Sequence, residues 1–315
     1  MRFATWLALS MVLVAPVLLA QTAAPRKASP PFPPAIGADG KPVVVPWAVN
    51  RRTGAEIPVH DEGVTPATPA PEGLYVAMGD SITFGQGVTD NCQSFATHPV
   101  DIASACPDGK SYAALVALAM RKAGIAGRFM NLGISGATVD WVIDDEMPYL
   151  PAETTLVTLY VGTNDARFVR RTGMSVAENV KQYESQYEKL LGMIHTRAPE
   201  ARIVLVNIPN YQTINAEGNF AEKDPNDLER FGATSQIFTK FVDGHYPHYP
   251  VADTICQAYS YDMGVHFNKS AHPNEAGSAL LADAVIHAIT DKPAAPPSKC
   301  EWYDAATADA LITTK

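Results

Sequence analysis

Four short clusters in this chain hold side chains that can do covalent chemistry. They are Gly79-Asp80-Ser81, Asn131-Leu132-Gly133-Ile134-Ser135-Gly136, Gly162-Thr163-Asn164-Asp165 and His272-Pro273-Asn274. A serine hydroxyl is a poor nucleophile until an adjacent base removes its proton, and histidine is the side chain most often used for that. Glycine N–H groups and asparagine amides are the donors that meet negative charge on an oxygen. Each cluster also has a plainer reading. Ser81 and Asn164 could cap helices, Gly133 could serve a strand-end turn, and His272 could bond to backbone at a helix start. Any one cluster alone is weak, and all four in this order are strong.

In that order the clusters resemble the SGNH (GDSL-type) hydrolases, the family named for its Ser, Gly, Asn and His. The first block matches as G-D-S, the second as N-x-G-x-S-G, the third as G-T-N-D and the last as H-P-N, over about residues 73 to 290. The resemblance implies acyl transfer, with Ser81 as nucleophile and His272 as base, later acid to the leaving alcohol. It implies an oxyanion hole made by the Ser81 and Gly133 backbone N–H groups and the Asn164 side-chain amide. Removing one such donor typically raises the barrier by about 2.7–4 kcal/mol. A side chain at Gly133 is expected to crowd the substrate. Asp80 is expected to brace the nucleophile turn through backbone hydrogen bonds.

One position departs from the family, which usually carries aspartate three residues before the histidine. Here that residue is Lys269, which cannot accept the imidazole Nδ1–H and whose charge would oppose imidazolium formation. Three readings stay open: a backbone carbonyl orients His272 in a Ser–His dyad, a displaced carboxylate such as Asp262 folds back, or the enzyme is impaired. The function expected is cleavage of carboxylic esters through an acyl-serine, esterase- or lipase-like. The alternatives are an acyltransferase using the same residues and an impaired ligand-binding protein. No cofactor and no metal are expected; His245, His248 and Asp253 lack a metal-ligand spacing.

The elements needed to hold these clusters alternate. Strands are expected at Leu74–Met78, Arg128–Leu132, Thr155–Val161 and Arg202–Asn207, with a weaker one near Pro250–Ala252. Helices are expected at Tyr112–Ala123, Val139–Leu150, from Ser175 through Ile194, Asp227–Val242 and from Pro273 onward. Ser175 and Glu178 have the spacing of a capping box. Strands separated by such helices imply right-handed parallel crossovers. The fold class is therefore α/β: a three-layer α/β/α sandwich on a mostly parallel five-stranded sheet, the flavodoxin-like arrangement of SGNH hydrolases. Ligands of such sheets sit at the C-terminal strand ends, where all four clusters fall.

Composition is that of a globular protein: 315 residues, 47% hydrophobic, 18% charged and a net charge of −9, which disfavours nucleic acid and anionic membrane as partners. Met1-Arg2, the apolar run Leu7–Leu19 and the small residues Ala20, Ala23 and Ala24 read as a cleavable signal peptide over 1–24. An uncleaved anchor is the alternative, although the run is short of the ~20 residues a span needs. Localisation is thus secreted or periplasmic, with no stable membrane insertion after cleavage, and a monomer is expected. Residues 25–72 form a proline-rich arm or linker, 73–292 the hydrolase domain and 293–315 a tail. Four cysteines allow three pairings; nearest partners give Cys92–Cys106 and Cys256–Cys300, the second tying down the tail. The expected substrate is a small-molecule, lipid or polysaccharide ester. Phe84–Lys110 and Asn210–Asp227 are expected to rim the pocket, and Phe168, Tyr211 and Phe267 are either pocket walls or core.

Overall fold

The computed structural model describes residues 73–88, 109–172, 174–208, 225–254, 263–267, 272–290 and 310, and the backbone of 35–36, 42–43, 47–50 and 55–58. The signal segment, all four cysteines, Asp262, Lys269 and Tyr211 lie outside them. So do 89–108 and 210–224 of the two expected rim loops.

The central sheet has five parallel strands: β5 (Leu74–Gly79), β6 (Arg128–Asn131), β7 (Leu156–Tyr160), β8 (Arg202–Val206) and β9 (Val251–Ala252). Their spatial order is β6-β5-β7-β8-β9. Every residue of β5 and β7 is buried, as expected of parallel strands covered on both faces. The chain goes from β5 to β6 on one side, then returns past β5 to β7. That reversal opens a crevice between the C-terminal ends of β5 and β7.

The helices are α1 (Ser81–Phe84), α2 (Tyr112–Lys122), α3 (Val139–Trp141), α4 (Thr163–Thr172), α5 (Val176–Arg197), α6 (Pro225–Asp243), α7 (Met263–His266) and α8 (Glu275–Thr290). The capping box starting α5 is complete: Glu178 N–H donates to Ser175 Oγ at 3.2 Å, and Ser175 N–H donates to Glu178 Oε2 at 2.9 Å. The apolar stripe of α5 buries Val176, Val180, Tyr183, Tyr187, Leu191 and Ile194. Tyr183 stacks on Phe238 of α6 with ring centroids 3.7 Å apart.

Two local expectations are corrected. The helix expected over Val139–Leu150 is composite: α3 passes into a π-helical turn at Val142–Glu146 and a 3₁₀ turn at Met147–Tyr149. The last helix begins at Glu275 with Asn274 before it; Pro273 instead bridges to Phe267. The proline-rich arm contains two short antiparallel ribbons, β1 (Ala35–Ile36) with β2 (Pro42–Val43), and β3 (Trp47–Asn50) with β4 (Ala55–Pro58). Proline tolerates a two-stranded ribbon because each strand there is an edge, with one side free of ladder bonds.

Candidate active site

Three loops at the sheet's C-terminal rim build the site. After β5 the chain turns at Gly79, whose φ of +142° brings its α-carbon against β7; a Cβ would lie 1.9 Å from the Tyr160 carbonyl oxygen. Asp80 N–H then donates to that same carbonyl at 3.1 Å. The Asp80 carboxylate caps α1, accepting from Ile82 N–H at 2.9 Å, as expected of a turn brace. Burial lifts the Asp80 pKa to about 7, against the pull of the Ile82 N–H and the Thr163 hydroxyl. Ser81 follows as the first residue of α1, where N–H groups have no intrahelical acceptor.

The second loop is sewn to the first. Leu132 N–H donates to Ala77 O and Ile134 N–H to Gly79 O, extending the β5–β6 ladder to the rim. Asn131 is buried and works as a clamp: its Nδ2 donates to Thr83 O at 2.7 Å, and its Oδ1 accepts Gly133 N–H at 3.0 Å. The reason for glycine at 133 differs from the one expected. A Cβ there would lie 2.7 Å from Phe84 N and 2.8 Å from the Thr83 side chain. It would therefore collide with α1 itself.

The third loop follows β7. Asn164 in the first turn of α4 donates from Nδ2 to Ala137 O at 2.9 Å, which uses one of its two amide hydrogens. Asp165 is buried, and both its oxygens accept from Val139 N–H at 3.1 and 3.3 Å, which ties α4 to α3. Burial raises its pKa to about 7.

His272 reaches this rim from the far end of the chain. Its Nε2 lies 2.9 Å from Ser81 Oγ, although the two residues are 191 apart in sequence. Asn274 sets the approach. Its Oδ1 accepts Gly277 N–H at 3.0 Å in the first turn of α8, and its Nδ2 donates to Val265 O at 2.8 Å. Asn274 N–H also donates to His266 O at 2.9 Å. Burial, and then the nearby Arg167 charge, hold the imidazole pKa below its ordinary value of 6.5. Such a histidine is neutral near pH 7, the form a general base requires.

Under the nucleophile lies a buried polar layer that sequence patterns did not single out. Glu146, at the end of the π-helical turn, accepts Gly79 N–H with Oε2 at 2.9 Å. Thr83 Oγ1 and Tyr112 OH are 2.9 Å apart, and Tyr75 OH and Thr158 Oγ1 are 2.8 Å apart. Burial pushes the Tyr112 phenol well above its usual range. In sequence Glu146 is only the last of three consecutive acidic residues, Asp144-Asp145-Glu146, and it is the π turn, common at functional sites, that aims it at Gly79.

The geometry thus brings together Ser81 and His272 and sets Gly133 against α1, while Asn164 bonds to the loop carbonyl of Ala137; Asp262 and Lys269 fall outside the described residues. The family model described as the GDSL-like Lipase/Acylhydrolase family matches residues 77–280. The chain belongs to that family. Among solved structures it is similar to an extracellular lipase from Streptomyces rimosus, at 22% identity over 68% of this chain and 100% of that one, with a TM-score of 0.43. A phospholipase A1 from Streptomyces albidoflavus matches at 22% identity over 68% and 99%, with a TM-score of 0.43. The acetylxylan esterase Axe2 from Geobacillus stearothermophilus matches at 21% over 72% and 99%, with a TM-score of 0.46. No curated protein matches the sequence. Among the described residues, no helix is long and apolar enough to cross a membrane.

Proposed function

We propose that this chain is an exported serine hydrolase that cleaves carboxylic esters through an acyl-serine on Ser81. The observation that carries the reading is the 2.9 Å contact between His272 Nε2 and Ser81 Oγ, made at the rim of the family's sheet. Neutral His272 takes the hydroxyl proton as Oγ attacks the ester carbonyl. The imidazolium then protonates the departing alcohol; in deacylation His272 takes a proton from water as it attacks the acyl carbonyl, and returns it to Ser81 Oγ as that oxygen leaves.

The developing oxyanion meets Ser81 N–H at the start of α1 and the second hydrogen of Asn164 Nδ2. Gly133 N–H is the third donor, and the oxyanion must draw it from Asn131 Oδ1, its acceptor at 3.0 Å. That exchange makes the Gly133 contribution smaller than an unengaged N–H would give. The leader over residues 1–24 supports export. The test is hydrolysis of p-nitrophenyl acetate, butyrate and palmitate by the mature protein beside Ser81→Ala, with fluorophosphonate labelling read by mass. Activity and labelling are expected in the wild type and neither in Ser81→Ala. A wild type that cleaves none of the esters and takes no label overturns the reading.

A further inference from the structure

We infer that Gln86 and Ser135 form a polar shelf beside the nucleophile that takes neighbouring hydroxyl groups of the substrate. The site is then selective for esters of polyols, sugars or hydroxy acids over esters of plain hydrocarbon chains. The inference rests on the ester-hydrolase reading above and names a substrate class for that site.

Both residues are tied through the backbone to the residues that carry the reaction. Gln86 follows the Gly85 turn that ends α1, and its N–H donates to the Ser81 carbonyl at 2.9 Å. Ser135 follows Ile134, whose N–H donates to Gly79 O at 2.9 Å. Just beyond Ser135 and Gly136 stands Ala137, whose carbonyl accepts the Asn164 amide at 2.9 Å. The Ser135 hydroxyl donates to Gln86 Oε1 at 2.6 Å, bridging the first and second loops, and both side chains are exposed. An exposed glutamine ordinarily samples many rotamers, and this bond removes much of that freedom. The pair is therefore held ready for a ligand. Gln86 Nε2 has two hydrogens to donate, and Ser135 Oγ has lone pairs to accept.

The ground beside the pair is open. Gly136, next to Ser135, has a φ of +85°, and no atom stands within 4 Å of where a Cβ would lie. Gly87, next to Gln86, has a φ of +99° and is exposed. Positive φ disfavours larger residues at both positions, so neither glycine sets a side chain over the shelf. A hydrocarbon chain laid there would strip water from the amide and the hydroxyl and return no hydrogen bond. That loss is what lets a polar site reject a substrate analogue lacking the matching group. Two neighbouring hydroxyls replace the water instead: one oxygen accepts from Gln86 Nε2, and the other hydroxyl donates to Ser135 Oγ. The pair is uncharged, so the groups it suits are neutral.

Two matched pairs of esters test this, each followed by acid release at constant pH. On the alcohol side, glycerol monoacetate is compared with propyl acetate; on the acyl side, ethyl glycerate is compared with ethyl propionate. Gln86→Met keeps the length of the side chain and loses its amide. In at least one pair it is expected to lower the hydroxylated-to-plain ratio of kcat/KM about five-fold, the scale of one neutral hydrogen bond. The loss should appear mainly as a raised KM for the hydroxylated member. Ser135→Ala, which removes an acceptor and releases Gln86 from its hold, should lower the same ratio. A pair that merely staples two loops together would slow both members alike. A ratio that Gln86→Met leaves unmoved in both pairs therefore overturns the inference and leaves the hydrolase reading standing. So does a wild type that cleaves the plain esters and neither hydroxylated one. A wild type that cleaves no ester and takes no fluorophosphonate overturns both.

Discussion

The Gly79 N–H shows how closely the nucleophile turn is held, because a buried carboxylate from another loop receives it. Replacing Glu146 by Leu would leave that donor buried without an acceptor, a loss of about 1–3 kcal/mol. Glu146→Leu is therefore expected to melt several degrees lower and to lose kcat. Glu146→Gln, which keeps a carbonyl acceptor, should restore most of both. Equal kcat in the Leu and Gln variants would show that Glu146 does not position Ser81. The second prediction at this scale concerns pH. A general base must be unprotonated, and the His272 pKa lies below 6.5 through burial and the Arg167 charge. The acid limb of kcat/KM for a neutral ester should therefore have its midpoint below pH 6.5. In Arg167→Gln the midpoint should move upward, because one of the two lowering influences is gone. A wild-type midpoint above 6.5 would contradict this environment. The pairing of Ser81 with His272 was legible because each belongs to a short local pattern. Glu146 was not, since its partner Gly79 lies in a distant segment and no spacing encodes the pair.

The histidine depends on the segment that carries it. Asn274 caps α8 with its carbonyl oxygen and holds Val265 O with its amide hydrogens, so one side chain joins α7 to α8 around His272. Asn274→Asp keeps the cap acceptor but loses the donor and sets a carboxylate against a carbonyl. It should lose activity disproportionately, with a smaller loss of melting temperature than the roughly 1 kcal/mol cap deletion in Asn274→Ala. If activity falls only in step with stability in both variants, the amide does not position His272. Most strands and helices were legible within a residue or two, because buried parallel strands are continuous apolar runs and α5 carries a full stripe and capping box. Less visible was α4. Its first turn is polar, and it begins directly at the G-T-N-D block, with no separate capping residue ahead of it. The π turn was hidden too, since a one-residue bulge in a helix leaves no mark on apolar spacing over so short a segment.

Across the molecule, burial of carboxylates sets how stability should vary with pH. Asp80, Asp165 and Asp243 each have a pKa raised from 3.8 to about 7, mainly by desolvation. A group that binds its proton more tightly when folded makes the native state hold extra protons between those two values. The slope of unfolding free energy with pH is then negative, so stability should fall as pH rises from about 4 toward 7. Melting temperature followed over that window checks this, and Asp165→Asn should make the decline shallower. A decline equally steep in that variant would show that Asp165 titrates alike in the folded and unfolded chain. One consequence concerns the order in which the molecule is made. Ser81 is made 191 residues before the His272 imidazole, which sits on the segment leading into α8. A nascent or truncated polypeptide ending before that point has a hydroxyl and no base. On the proposed mechanism its chemistry is therefore silent until the His272 segment has been made, which leaves such a chain harmless to the esters around it.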